Sequence, residues 1–120
     1  MGKEKQAYDL EERTQRFSKD IIRIAKEIPL TPTSRPLISQ LVRAATSIGA
    51  NYQEANGAVS KKDFRNKIFI CKKECKETLY WLNIFDEITD SSKTELAKKE
   101  CHELIKIFAK ISITSSKNCV

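Results

Sequence analysis

Turn-forming residues are scarce in this chain. Only three Gly and three Pro occur in 120 residues, and so little punctuation leaves room only for a few long elements. No apolar run approaches the ~20 residues that a membrane-spanning helix needs, so no membrane role is expected. The opening residues, MGKEKQAYDLEER, are charged and carry no apolar stretch of the kind a signal peptide requires. Gly2 fails as a myristoylation site because Gln6 stands where Ser or Thr is needed. A cytoplasmic location is expected, where Cys71, Cys75, Cys101 and Cys119 stay reduced.

Reactive groups are equally sparse. His102 is the single histidine, and it sits among Lys and Glu on a helical stretch. No Ser-His-Asp set, Gly-rich phosphate loop, HExxH or CxxC is present. The Glu-x-x-His pair of di-iron bundles is missing too, since Lys99 lies three positions before His102. No catalysis, metal or other cofactor is expected. A zinc site drawing on Cys101 and His102 meets a geometric obstacle, because adjacent helical residues point about 100° apart. Cys71 and Cys75 stand one turn apart on an apolar stripe. They read as small core residues, and a disulfide between them would be poorly shaped.

What is abundant is charge. Lys and Arg number 22 against 16 Asp and Glu, a formal net charge of +6. Residues 60–85 hold seven cations against three acids, and residues 91–120 hold six against three. Asp86, Glu87 and Asp90 form an acidic junction between them. Clustered positive charge favours polyanions, most often nucleic acid. The alternative is a merely solvated, solubilising helix face.

Apolar spacing divides the chain into four amphipathic helices. A leader over residues 1–8 is expected to be flexible. Asp9 with Glu12 makes a capping-box pattern, after which Leu10, Thr14, Phe17, Ile21, Ile24 and Ile28 alternate in steps of four and three. Pro29 ends this first helix. PLTPTSRP, residues 29–36, is an extended linker, and Ser34 is placed to cap the second helix with Pro36 in its first turn. That helix carries Leu37, Leu41, Ala45, Ile48, Tyr52 and Ala55 on one face and runs to about Ala58, with Gly57 as its stop signal. Gly49 inside it costs about 1 kcal/mol relative to alanine, so close approach of a neighbouring helix is expected there.

Ser60-Lys61-Lys62-Asp63 is a second capping box. Phe64, Ile68, Cys71, Cys75, Thr78, Leu82 and Phe85 then form the seam of a helix expected to reach about 28 residues, or ~40 Å. Its apolar residues overflow onto adjoining faces through Phe69, Ile70, Leu79, Trp81, Ile84 and Ile88, a width that suggests a subunit interface. Ser92 to Glu95 is a third capping box, and Ala97, Cys101, Leu104, Phe108 and Ile111 are the fourth seam. A tail over residues 114–120 has no pattern and is expected to be flexible. The fold class is all-α: an antiparallel up-down-up-down four-helix bundle over residues 9–113.

Arg43 to Ala55, RAATSIGANYQEA, together with Ser60 to Phe64 and Lys73 to Leu82, KECKETLYWL, is distinctive in both spacing and residue choice. These segments, and Asp9 to Thr14 with Phe17, resemble the signature of the four-helix-bundle proteins encoded by intervening sequences in bacterial 23S rRNA genes. The resemblance covers about residues 9–88; the fourth helix matches only in pattern. It implies a compact bundle that assembles into a ring, a homopentamer in known relatives, with no catalytic activity. Relatives include the accessory protein of diversity-generating retroelements, which binds nucleic acid and a reverse transcriptase. Cys71 and Cys75 depart from the small or aliphatic residues usual at their positions.

The expected function is therefore that of a non-catalytic, oligomeric basic bundle that binds RNA or DNA through phosphates, or assists a nucleic-acid enzyme. The alternative is a structural adaptor between proteins. The candidate nucleic-acid-binding residues are Lys61, Lys62, Arg65, Lys72, Lys73 and Lys76. Arg13, Arg16 and Arg23 make a second patch, weakened by interleaved acids. Arg43, Asn51 and Glu54, the polar residues of the signature, are read as structural glue. Arg43 is placed to pair with Glu54 or Glu74, across helices or across subunits. Tyr52 and Trp81 read as core or interface anchors.

Overall fold

The computed structural model describes residues 2–117, with side chains placed over residues 9–115. Four α-helices follow in order: α1 (Gly2–Glu27), α2 (Ser34–Asn56), α3 (Lys61–Phe85) and α4 (Glu95–Lys117), with a 3-10 turn at Ser91–Lys93 before the last. No strand occurs among the described residues. The four apolar seams meet in one core. Phe17 and Ile21 from α1, Leu41, Ile48 and Tyr52 from α2, Ile68, Leu82 and Phe85 from α3, and Leu104 and Phe108 from α4 are all buried in it. Cys71, Cys75 and Cys101 are buried among them.

Pairs between neighbouring helices run in opposite directions along the chain, the register of antiparallel neighbours. On α1 and α2, Glu11 meets Asn56 while Ser18 meets the carbonyl of Ala45. On α2 and α3, Glu54 meets Lys67 while Arg43 meets Glu74. Arg13 of α1 meets Glu100 of α4, and Glu27 meets Lys93 just before α4. α3 is embraced by α2 and α4, whereas α1 and α4 touch sparingly.

Gly49 sits where α1 crosses closest to α2. A Cβ at that position would lie 3.1 Å from the Thr14 hydroxyl oxygen and 3.3 Å from its Cβ. Thr14 cannot easily yield, because it is 1% exposed and its hydroxyl donates to the carbonyl of Leu10 at 2.9 Å. The close approach inferred from a glycine in mid-helix is thus a contact with α1.

Several local details differ from expectation. α1 begins at Gly2, so residues 2–8 extend the helix instead of forming a leader, and Asp9 lies within it. Lys3, Glu4, Lys5, Gln6 and Ala7 are all good helix formers, so the helix needs no cap at Asp9. α4 likewise continues to Lys117; residues 118–120 of the expected tail lie outside the described residues. Ser34 is the first helical residue rather than the cap. Its hydroxyl donates to the carbonyl of Pro29 at 2.7 Å and accepts from the Thr31 amide at 2.9 Å. Pro29, Pro32 and Pro36 have no backbone N–H to donate, and this buried side chain ties together the polar groups of the loop.

The last difference concerns the entry to α4. Ser60 does cap α3, accepting from the Asp63 amide at 3.0 Å. Ser92 does not cap α4. Asp90 takes the Ser92 amide at 3.0 Å and closes the 3-10 turn, and buried Thr94 donates to Asp86 at 2.9 Å. Lys98 bonds the other Asp86 oxygen, and that contact holds the Asp86 carboxyl below its ordinary range. The acidic junction therefore staples the α3–α4 corner. α3 itself spans 25 residues, somewhat shorter than its seam implied.

Candidate nucleic-acid interface

A straight helix with one face in the core must show the opposite face to solvent. α3 buries Ile68, Cys71, Cys75, Thr78, Leu82 and Phe85. Lys62, Phe69, Lys73, Lys76 and Tyr80 stand opposite, spread over only about 60° of arc, and all five are exposed, Phe69 and Tyr80 by more than half. Lys61 is exposed at the helix start, while Arg65 and Lys72 are half-buried at the flank. The Nε of Arg65 is buried without a hydrogen-bond partner among the described residues.

The acids of α3 are kept off this stripe. Glu74 is 5% exposed and pairs with Arg43 of α2 at 3.1 Å. Arg43 also binds Glu77, which accepts from the Trp81 indole at 3.2 Å. Asp63 serves the first turn. Among the described residues, Lys62, Lys72, Lys73 and Lys76 have no carboxylate within 4.0 Å. Several cations elsewhere are engaged. Arg13 makes two bonds to Glu100, at 2.7 and 2.8 Å, which hold its pKa above the ordinary value. Arg23 pairs with Asp20 at 2.9 Å. Lys67 donates to Glu54, and that bond raises its pKa.

The polar signature residues do not converge on one point. Arg43 takes Glu74, not Glu54, from the two partners its position allowed. Asn51 donates to the carbonyl of Ser47 at 2.8 Å within α2. Glu54 is held by Lys67. Each is a tie within α2 or between α2 and α3.

Burial pushes the Cys71 and Cys101 thiols up to about 12, and that of Cys75 higher still. They are core residues, as their stripe implied. Cys101 is buried while the adjacent His102 is exposed. A groove of about 440 Å³ between α1 and α2 is lined by Glu11, Glu12, Thr14 and Gly49, among others. Its carboxylates would repel an anion.

Some surface residues escaped notice in the sequence. The overflow of α3 splits: Leu79, Trp81 and Ile88 pack against the core, whereas Phe69 is 58% exposed, and Tyr80, which is not among the overflow residues, is 56% exposed. Lys99, Lys106 and Lys110 are exposed along α4. The signal for Phe69 and Tyr80 was their separation of about three turns, which puts both rings in line with Lys62, Lys73 and Lys76.

Comparison with known proteins gives a consistent frame. Residues 6–110 match the family model described as 23S rRNA-intervening sequence protein. The chain is similar to a crystal structure of a protein with unknown function from the S23 ribosomal protein family of Bacteroides thetaiotaomicron VPI-5482. The two share 31% sequence identity and a TM-score of 0.78 over 85% of this chain and 96% of that one. No curated protein matches the chain. No helix among the described residues is long and apolar enough to cross a membrane.

Proposed function

The chain belongs to the 23S rRNA-intervening sequence protein family, and on that premise we propose that it is a non-catalytic, oligomeric, basic helical bundle that binds RNA or DNA through phosphate contacts, or assists a nucleic-acid enzyme, in the cytoplasm. The observation that carries this reading is the outer face of α3, where Lys62, Lys73 and Lys76 stand and no acid of the described residues neutralises them. Six cations of α3 and its start contribute: Lys61, Lys62, Arg65, Lys72, Lys73 and Lys76. In a ring, with a homopentamer as the proposed order, the face is repeated by every subunit and weak phosphate contacts add by avidity. Binding of this kind is steeply salt-dependent and poorly sequence-specific. A reverse transcriptase is the kind of protein partner such a ring would serve.

Filter-binding titration against a structured RNA at two salt concentrations tests the reading. Strong binding that weakens steeply with salt supports it; no binding at low salt, or equal binding at both, refutes it. Light scattering tests the assembly, and a monomer removes the avidity argument. A second reading, a protein adaptor without a nucleic-acid role, is favoured by the exposed rings of Phe69 and Tyr80. Lys72, Lys73 and Lys76 replaced together by Glu separate the two: an adaptor keeps its partner, a phosphate binder loses its polyanion.

A further inference from the structure

We propose that the outer face of α3 takes a single strand in preference to a duplex, with bases stacked on Phe69 and Tyr80 and the backbone running along Lys62, Lys73 and Lys76. This rests on the nucleic-acid reading and narrows it to unpaired strands. Both rings are more than half exposed, although a buried position would be favourable for either. Their neighbours on the face are cations rather than apolar residues: Lys73 follows Phe69 by one turn, and Lys76 precedes Tyr80 by one turn.

That composition argues against two copies of this chain pairing through this same face. Two such faces meeting would bring lysines together, while Glu74 and Glu77, the acids that could relieve them, are engaged by Arg43. Two rings with lysines between and beside them suit bases joined by phosphates, the pattern of single-strand binding surfaces. The rings lie about 16 Å apart along the helix, so the two stacked bases would be separated by intervening nucleotides. The Tyr80 ring is also held in place. It meets Trp81 edge-on at 5.0 Å and 77°, and Trp81 is anchored to Glu77. In a duplex the bases are already stacked on each other, so only the lysines would gain contacts.

Fluorescence anisotropy with a labelled oligouridine and an RNA duplex of equal length tests this on the full chain. The variants are F69A/Y80A and F69Y/Y80W, the second of which keeps both rings. F69A/Y80A is expected to lose at least about tenfold in single-strand affinity and to keep its duplex affinity and salt slope; F69Y/Y80W is expected to bind as the parent does. An unchanged single-strand affinity, or an equal loss on the duplex, overturns stacking and leaves phosphate binding intact. Failure of the parent to bind either probe at low salt overturns phosphate binding as well. A smaller assembly for F69A/Y80A in light scattering would make the rings subunit contacts and also end the proposal.

Discussion

Arg43 of α2 reaches Glu74 of α3 at 3.1 Å and holds a carboxylate that is only 5% exposed. The partnership is asymmetric, since the Arg43 side chain keeps 47% of its exposure. Removing the cation therefore does more harm than removing the acid. Arg43→Met should leave a buried anion unpaired and cost about 1–3 kcal/mol, with the lower part of that range more apt because the guanidinium is partly solvated. Adding Glu74→Met should restore most of the loss, because the buried charge goes with it. Urea denaturation of the two variants checks this. Parental stability in Arg43→Met would mean the pair is ornamental.

Gly49 is a second test of packing. In a free helix, Gly to Ala gains about 1 kcal/mol. Here the new methyl would press on Thr14, whose backbone is part of α1 and whose hydroxyl is tied to Leu10. The gain should vanish, leaving Gly49→Ala neutral or destabilised by up to about 1 kcal/mol, and Gly49→Val should lose more than about 2 kcal/mol. Thermal melts suffice to decide. A higher melting temperature for Gly49→Ala would show that α1 and α2 part without cost.

The buried thiols predict a pH dependence. The folded-state pKa of Cys71 and Cys101 is about 12, against an ordinary value of 9.0. The unfolded chain therefore loses these protons first. Stability from this source should be fully present below the ordinary value of 9.0 and fall progressively as pH rises toward about 12. In the Cys119→Ser variant at neutral pH, the three buried cysteines should resist a thiol reagent until denaturant is added. Rapid labelling of the folded protein would contradict their burial.

Much of this fold could be read from the sequence because the seams are regular. Phe17, Ile21, Ile48, Ile68, Leu82, Leu104 and Phe108 fall in the core by spacing alone, and Ser60 caps where its box says. Ser34 and Ser92 misled for one reason: each lies in a segment where another polar group competes. Pro29 and Thr31 claim the Ser34 hydroxyl, and Asp90 preempts Ser92. Local pattern cannot rank such competitors. The basic face of α3 was legible as charge but not as a surface. Spacing placed Lys62, Arg65, Lys72 and Lys76 near one flank, whereas Arg65 and Lys72 are half-buried and Lys73 shares the open face. It could not show that Arg43 withdraws Glu74 and Glu77, or that Phe69 and Tyr80 face outward while Leu79 and Trp81 turn in. Those outcomes depend on which helices flank α3.

Ion pairing ranks the basic patches. On α1, Arg13 is engaged by Glu100 and Arg23 by Asp20, which leaves only Arg16 of that patch without a carboxylate within 4.0 Å, whereas Lys62, Lys72, Lys73 and Lys76 of α3 all meet none among the described residues. A paired guanidinium must give up its partner before it can take a phosphate, so it adds little net attraction. Replacing the four lysines by Gln should reduce the slope of log affinity against log salt by about 0.7–0.9 for each phosphate that is no longer neutralised. Replacing Arg13 and Arg23 by Gln should leave that slope nearly unchanged. It should instead lower stability modestly, because Glu100, with 28% side-chain exposure, loses its bidentate partner. Salt-dependent titrations of both variants against one RNA decide the matter. A larger slope change from the α1 pair than from the α3 set would move the binding face from α3 to α1.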